Sequence, residues 1–291
     1  MAWMYVALCV AFSSGVVVLF RELGRRGLGL PPVIAANYLT CLILGSLLEP
    51  QALTYLTQPA NWMALGGVQG SLFIGLFMLT GWAALRLGVA HTGMVVRLSM
   101  ALTLVFAVVF FSEALSTVKI AGIVLAVGAV VLMHWHLLGA DGRHSGVKGQ
   151  TILIVSAILF VGSAIADTNF KVFEHFYPQI PDTAFTLLVF GTAGVCSVPV
   201  VLLWQRQENR TVQWAEVAAG LALGLPNYFS IHFIYPALAE LPASTFFPVC
   251  NLSILITLTV VGVGLYREPF PPPARVGLAL ALLAVAAMGI G

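Results

Sequence analysis

Residues 110–133 read FFSEALSTVKIAGIVLAVGAVVLM, and residues 265–290 read LYREPFPPPARVGLALALLAVAAMGI. In each, a glutamate closes one apolar run, a short interruption follows, and a glycine nine positions after the glutamate sits in the next apolar run. The pairs are Glu113 with Gly122 and Glu268 with Gly277. Working outward, Phe20-Arg21 recurs as Phe170-Lys171, Pro31 as Pro181, Trp62 as Trp214, and Ala84-Leu85 as Ala237-Leu238. The matches keep their order along the chain, and the offset grows from 150 to 155, as a few small insertions would produce. The chain therefore reads as two related halves.

A helix that crosses the hydrocarbon core needs about 20 apolar residues. Segments meeting this are expected at 2–20, 31–48, 62–85, 91–112, 118–138, 150–170, 183–204, 214–235, 242–265 and 274–290. Each break between them contains charge, proline or glycine, as in RELGRRGLGLPP and DGRHSGVK. The predicted fold class is an all-α integral membrane protein, with ten transmembrane helices as two inverted five-helix repeats. Residues 1–138 form the first repeat, 139–149 a linker and 150–291 the second. An odd number of spans per half forces the second half to enter the membrane upside down relative to the first. Inverted repeats of this kind are common in secondary transporters.

Composition agrees with lipid as the solvent. Of the 291 residues 60% are hydrophobic and 8% charged, against about 25% charged in ordinary soluble domains. The net charge of +2 is scattered, with no basic run of the kind that binds nucleic acid. Cys9, Cys41, Cys196 and Cys250 all lie in apolar segments and read as small buried hydrophobes, with no metal-ligand spacing. The first apolar run starts at Ala2 without a preceding basic region and reads as the first span, not a signal peptide.

Basic residues set the expected orientation. Loops 1–2, 3–4, 5–6, 7–8 and 9–10 share one side and hold Arg21, Arg25, Arg26, Arg86, Arg143, Lys148, Arg206, Arg210, Arg267 and Arg275. The other side holds Lys119 and Lys171, and Arg97 lies within the fourth span. By the positive-inside rule the arginine-rich side is cytoplasmic and both termini are extracytoplasmic.

Polar groups inside spans are costly unless paired or wetted, so they are the candidates for function. The eighth span, WAEVAAGLALGLPNYFSIHFIY, carries Pro226 near mid-depth, directly followed by Asn227. Proline removes a backbone donor and is expected to interrupt the helix here. Tyr228, His232 and Tyr235 fall at i, i+4 and i+7, on one face. The third span, its counterpart, is expected to be interrupted by Gly66, Gly67, Gly70 and Gly75. Gly66/Gly70 and Gly220/Gly224 equally fit close helix packing. Asn37, Tyr38, Gln69 and Asn251 add hydrogen-bonding groups to the candidate substrate-binding set of Asn37, Tyr38, Gln69, Arg97, Asn227, Tyr228, His232 and Asn251. Ser71, also in the third span, is a further such group.

Asp167 is the candidate coupling carboxylate, or else an i,i+4 ion-pair partner of Lys171. Arg97 suits a carboxylate or phosphate if it faces a cavity, and otherwise snorkels. Glu113 and Glu268 read as structural groups at helix ends. His134 and His136 point to different sides, so no metal site is expected.

The two stretches quoted first, FFSEALSTVKIAGIVLAVGAVVLM and LYREPFPPPARVGLALALLAVAAMGI, resemble the pattern of the drug/metabolite transporter superfamily in its EamA-like ten-helix form. NYLTCLILG around Asn37, GLPNYFSIHF around Asn227 and AIADTNFK around Asp167 are similar to a bacterial branch of it. The resemblance covers essentially the whole chain. It implies inverted five-helix repeats about a central cavity and the movement of small organic molecules. The chain departs from the family in having Phe12 where a first-span Trp is common, and in lacking a mid-span Pro in the fourth span. Its charge bias also argues against the cytoplasmic termini usual in the family.

The expected function is a gradient-driven secondary transporter of a small organic metabolite, such as an amino acid, in the bacterial inner membrane, working by alternating access. Its expected partners are a small-molecule substrate, the lipid bilayer and a coupling proton, as a monomer or homodimer, without nucleic acid. No cofactor or metal is expected and no enzymatic constellation is seen. The alternatives are an exporter of lipophilic cations and a flippase for a lipid-linked head group. A reporter fused after Gly291 should be active in the periplasm, and a cytoplasmic signal would reverse the orientation.

Overall fold

Backbone polar groups have no water to bond in hydrocarbon, so long apolar runs satisfy them internally as helices. The computed structural model describes residues 1–57, 60–111, 116–139, 147–241, 243–270 and 272–290. Glu113 and Arg143, and the side chains of His134 and His136, lie outside the described residues. Among the described residues the only regular structure is helical.

The elements are α1 (Ala2–Arg25), α2 (Leu30–Leu48), α3 (Ala52–Leu56), α4 (Trp62–Arg86), α5 (Val89–Leu98), α6 (Met100–Phe111) and α7 (Thr117–Gly139). They continue as α8 (Gly149–Phe176), α9 (Asp182–Glu208), α10 (Trp214–His232), α11 (Ile234–Glu240), α12 (Ala243–Val260) with a π-helical turn at Val261–Leu265, and α13 (Pro272–Ile290).

Six stretches among the described residues are long and apolar enough to cross a membrane: Ala2–Arg25, Leu30–Leu48, Trp62–Arg86, Gly149–Phe176, Asp182–Glu208 and Trp214–Glu240. Shorter apolar helices cover Thr117–Ala129, Val249–Leu265 and Pro272–Ala287. Exposed aliphatic stripes mark the outward faces, at Leu39, Ile43 and Leu47 on α2 and at Ile154, Ile158, Val161 and Ile165 on α8. On α9 the stripe is Val195, Val198 and Leu202. Such stripes match a lipid surround and would be unusual against water.

Three local expectations are corrected. The third span is not interrupted: α4 runs unbroken through Gly66, Gly67, Gly70 and Gly75, because its backbone hydrogen bonds need no side chain. The eighth span does not break at Pro226, which lies inside α10. The break comes at Phe233, between α10 and α11. Pro236 explains that position, since its ring opposes the carbonyl of His232 four residues earlier and it offers no N–H. The fourth span, expected continuous, is divided at Ser99. There the Ser99 hydroxyl donates to the Val96 carbonyl at 2.6 Å, a local bond that competes with the helical ladder.

The helices α2 and α10 pack against each other, as do α4 and α9, α2 and α9, and α7 and α13. α1 lies against α4, α10 and α12, while α8 lies against α4, α5 and α6. Glycines allow the closest approaches. A Cβ on Gly220 would strike the Val33 carbonyl oxygen, and one on Gly224 would lie 2.8 Å from the Asn37 carbonyl oxygen. On the other pair of helices, a Cβ on Gly70 would lie 2.7 Å from the Val189 carbonyl oxygen. With lipid as the alternative neighbour, such van der Waals approach is a main source of helix association.

Gly220→Ala should therefore lower stability in detergent by about 1–3 kcal/mol, the usual cost of overpacking. Gly67→Ala, whose Cβ meets nothing within 4 Å, should be neutral or gain up to about 1 kcal/mol of helix propensity. Thermal unfolding of the purified variants checks this, and equal shifts would remove the packing role of Gly220.

Candidate functional site

On α8 the lipid-type stripe leaves the opposite side for Ser156, Ser163 and Asp167, given about 100° of rotation per residue. Ser156 on that side meets His91 Nε2 of α5 at 3.0 Å. The face thus looks inward, toward α5. Asp167, on the same side of the helix, is solvent-exposed.

Arg97 lies at the end of α5. Its Nη1 donates to Asn251 Oδ1 of α12 at 3.3 Å, and Asn251 Nδ2 donates to Met100 Sδ at 3.4 Å. The charges of Arg97 and Lys171 both act on Asp167. Among the described residues no ion pair within 4 Å forms for Asp167, Lys171 or Arg97. The expected Asp167–Lys171 pair is therefore not made. Asp167 falls on the side opposite the lipid stripe, while Lys171 lies toward its flank. Asp167 and Arg97 thus each keep unused hydrogen-bonding capacity while the charge of one acts on the other.

Tyr228 and His232 belong to a different place. With Tyr235, Glu49, Thr186 and Phe190 they line a small cavity of about 20 Å³ between α2, α9, α10 and α11. That is room for about one water molecule. His232 Nδ1 lies 4.0 Å from Glu49 Oε1, an ion pair only when the imidazole is protonated. Thr186 Oγ1 and the Tyr235 hydroxyl share a hydrogen bond of 2.8 Å. The face shared by Tyr228, His232 and Tyr235 survives the helix break at Phe233, because all three reach the same cavity.

The remaining predicted residues lie inside helix contacts. Gln69 is fully buried, donating to the Ala166 carbonyl at 3.2 Å and accepting from Asn169 Nδ2 at 3.0 Å. Asn227 Nδ2 donates to Cys41 Sγ at 3.4 Å across the α2–α10 contact. Asn37 and Tyr38 are fully buried, and the Asn37 amide and Tyr38 hydroxyl have no hydrogen-bond partner among the described residues. The eight predicted binding residues thus divide into three sets, with Arg97 and Asn251 beside Asp167, Tyr228 and His232 together, and Asn37, Tyr38, Gln69 and Asn227 within packing interfaces.

Two carboxylates tie the arginine-rich end together. Glu268 accepts from the backbone N–H groups of Val89 at 2.7 Å and Ala90 at 3.1 Å, and Arg21 Nη1 lies 3.6 Å away. It caps the start of α5, not the helix that follows it in sequence, because the chain folds α5 back beside it. Glu216, fully buried, accepts from Gly29 N at 2.8 Å, from Arg210 Nη2 at 2.6 Å and from Gln213 N at 3.0 Å. Sequence reading missed Glu49 and Glu216 as contact-forming groups. The capping-box spacing of Gln213 and Glu216 was the available signal for the second.

If Asp167 serves a ligand and not the fold, Asp167→Asn should leave thermal stability within about 0.5 kcal/mol, as for substitutions outside any contact network. Gln69→Ala should cost about 1–3 kcal/mol, because it strands a buried partner. A large loss of stability in Asp167→Asn would return that residue to a structural role. Comparison with known proteins adds the fold and no activity. No family model matches the chain. It is similar, at 27% identity over 287 residues, to an uncharacterised protein of Haemophilus influenzae, covering 94% of this chain and 93% of that protein. A solved crystal structure matches with a TM-score of 0.61 at 18% identity, over 98% of this chain and 95% of that one. The chain is thus a distant full-length relative of an uncharacterised protein and shares an all-helical fold known from a crystal structure.

Proposed function

We propose that this protein is a secondary transporter that moves a small organic metabolite through a crevice between two inverted five-helix halves, in the manner of the drug/metabolite transporters. The observation that carries the reading is the placing of Asp167 and Arg97. The charge of Arg97 acts on Asp167, Asp167 is solvent-exposed, and neither forms an ion pair within 4 Å among the described residues. Unpaired charge at span depth is costly unless a ligand or water uses it.

The packing pattern supports the two-half reading. Exchanging the halves turns the α2–α10 contact into the α9–α4 contact and the α1–α10 contact into the α8–α4 contact. It likewise turns the α1–α12 contact into one between α8 and the α5–α6 span. The glycine pairs follow the same exchange, Gly220 and Gly224 against α2 and Gly66 and Gly70 against α9. The clustering of Arg21, Arg25 and Arg210 with Glu268, Tyr266 and Glu216 at one end supports a cytoplasmic placing of that end, with both termini on the other side. Asp167 is the coupling group in this reading, and Arg97 with Asn251 offers donors to a carboxylate or phosphate.

The test is uptake into proteoliposomes from a pooled metabolite mixture, read by mass spectrometry with and without a pH gradient. Accumulation of one solute class is expected, and Asp167→Asn should lose gradient-driven accumulation while keeping passive exchange. If lipophilic cations or lipid head groups move and no metabolite does, the metabolite reading is overturned.

A further inference from the structure

Cys9 and Cys250 lie 241 positions apart, in the first span and in α12, yet their sulfurs approach to 3.5 Å. The Cys250 thiol points at Cys9 Sγ, and the Cys9 thiol donates to the Ser230 carbonyl of α10 at 3.3 Å. Ser13 Oγ lies 4.0 Å from Cys9 Sγ. The charge of Arg97 acts on both sulfurs. The pair sits at the seam where α1 meets α12. The other two cysteines have different neighbours, with Cys41 beside Asn227 and Cys196 3.6 Å from Ser71 Oγ.

We propose that Cys9 and Cys250 are a redox dithiol that closes into an intramolecular disulfide joining α1 to α12. A disulfide has an S–S distance of about 2.0 Å. The sulfurs therefore need to close by about 1.5 Å, a displacement within reach of side-chain rotation about the Cα–Cβ bonds. Both cysteines are buried, so the oxidant is a small, membrane-permeant disulfide, RSSR. The thiolate of one cysteine attacks a sulfur of RSSR, forming a mixed disulfide and releasing RS⁻. The second thiolate then attacks the protein sulfur of that mixed disulfide and releases the other RS⁻. The two thiol protons end on the two RSH products, the two cysteine sulfurs are oxidised and RSSR is reduced. The bond would pin the first half to the second at the seam. Its effect on transport rests on the function proposed above, whereas its formation does not.

The experiment treats the wild-type protein, in native membranes or detergent, with a small membrane-permeant dipyridyl disulfide. Free thiols are then alkylated, and peptides are analysed by mass spectrometry without reduction. The expected result is a Cys9-peptide joined to a Cys250-peptide, lighter by two hydrogens than the sum of the two. Alkylation at those two positions should be lost together, while Cys41 and Cys196 form no such link. In Cys250→Ala, Cys9 should appear only as a mixed disulfide or an alkylated thiol. Separate alkylation of Cys9 and Cys250 in the oxidised wild type, or linkage of either to Cys41 or Cys196, would overturn the proposal. If the linked protein forms and a dithiol-reversible loss of uptake accompanies it, the seam opens during transport. A linked protein with unchanged uptake would leave the disulfide standing and count against movement at this seam.

Discussion

The rest of the structure depends on how closely α10 approaches α2. A Cβ at Gly220 would strike the Val33 carbonyl oxygen of α2, and one at Gly224 would strike Thr40 and lie 2.8 Å from the Asn37 carbonyl oxygen. In a lipid surround, burying apolar surface between helices gains little, since lipid tails are as apolar as leucine. Close packing and a few interhelical hydrogen bonds must then hold the bundle. The α4–α9 contact at Gly70 repeats the device. These two seams set the spacing of α2, α4, α9 and α10, and the small cavity lined by Glu49 and His232 opens at the end of the first.

Polar groups are distributed according to what surrounds them. At the arginine-rich end, Glu216 and Glu268 each accept several donors, including backbone N–H groups that helix starts leave unsatisfied. A carboxylate buried with several donors and a guanidinium at hand is adequately paired. Both ties join residues distant in the chain, Glu216 to the Gly29 backbone and Glu268 to the Val89 and Ala90 backbone. Asp167 is the reverse case, because it is accessible and has no hydrogen-bonding partner among the described residues.

Several features were legible from residue order alone. The apolar runs identified where helix would form, and small residues at i and i+4 identified the faces that approach closely. Reading helix breaks was less successful for a physical reason. Pro226 lies inside a helix that tolerates it, whereas Pro236 coincides with an actual break, and both carry the same covalent constraint. What differs is whether neighbouring packing holds the distorted turn in helical form. Gly66, Gly67, Gly70 and Gly75 likewise looked like interruptions, but the helix runs unbroken through them, because its backbone hydrogen bonds need no side chain.

Sequence by itself determined that this chain is helical and apolar, and that few of its polar groups could face hydrocarbon unaccompanied. Those properties follow from composition and periodicity, which are local. Only the tertiary structure decided which polar groups meet. It separated Tyr228 and His232 from Arg97 and Asn251, buried Gln69 and Asn227 in contacts, and brought Cys9 to Cys250 across 241 positions. Spacing along one helix fixes a face, but which helix that face meets depends on the packing of all the others.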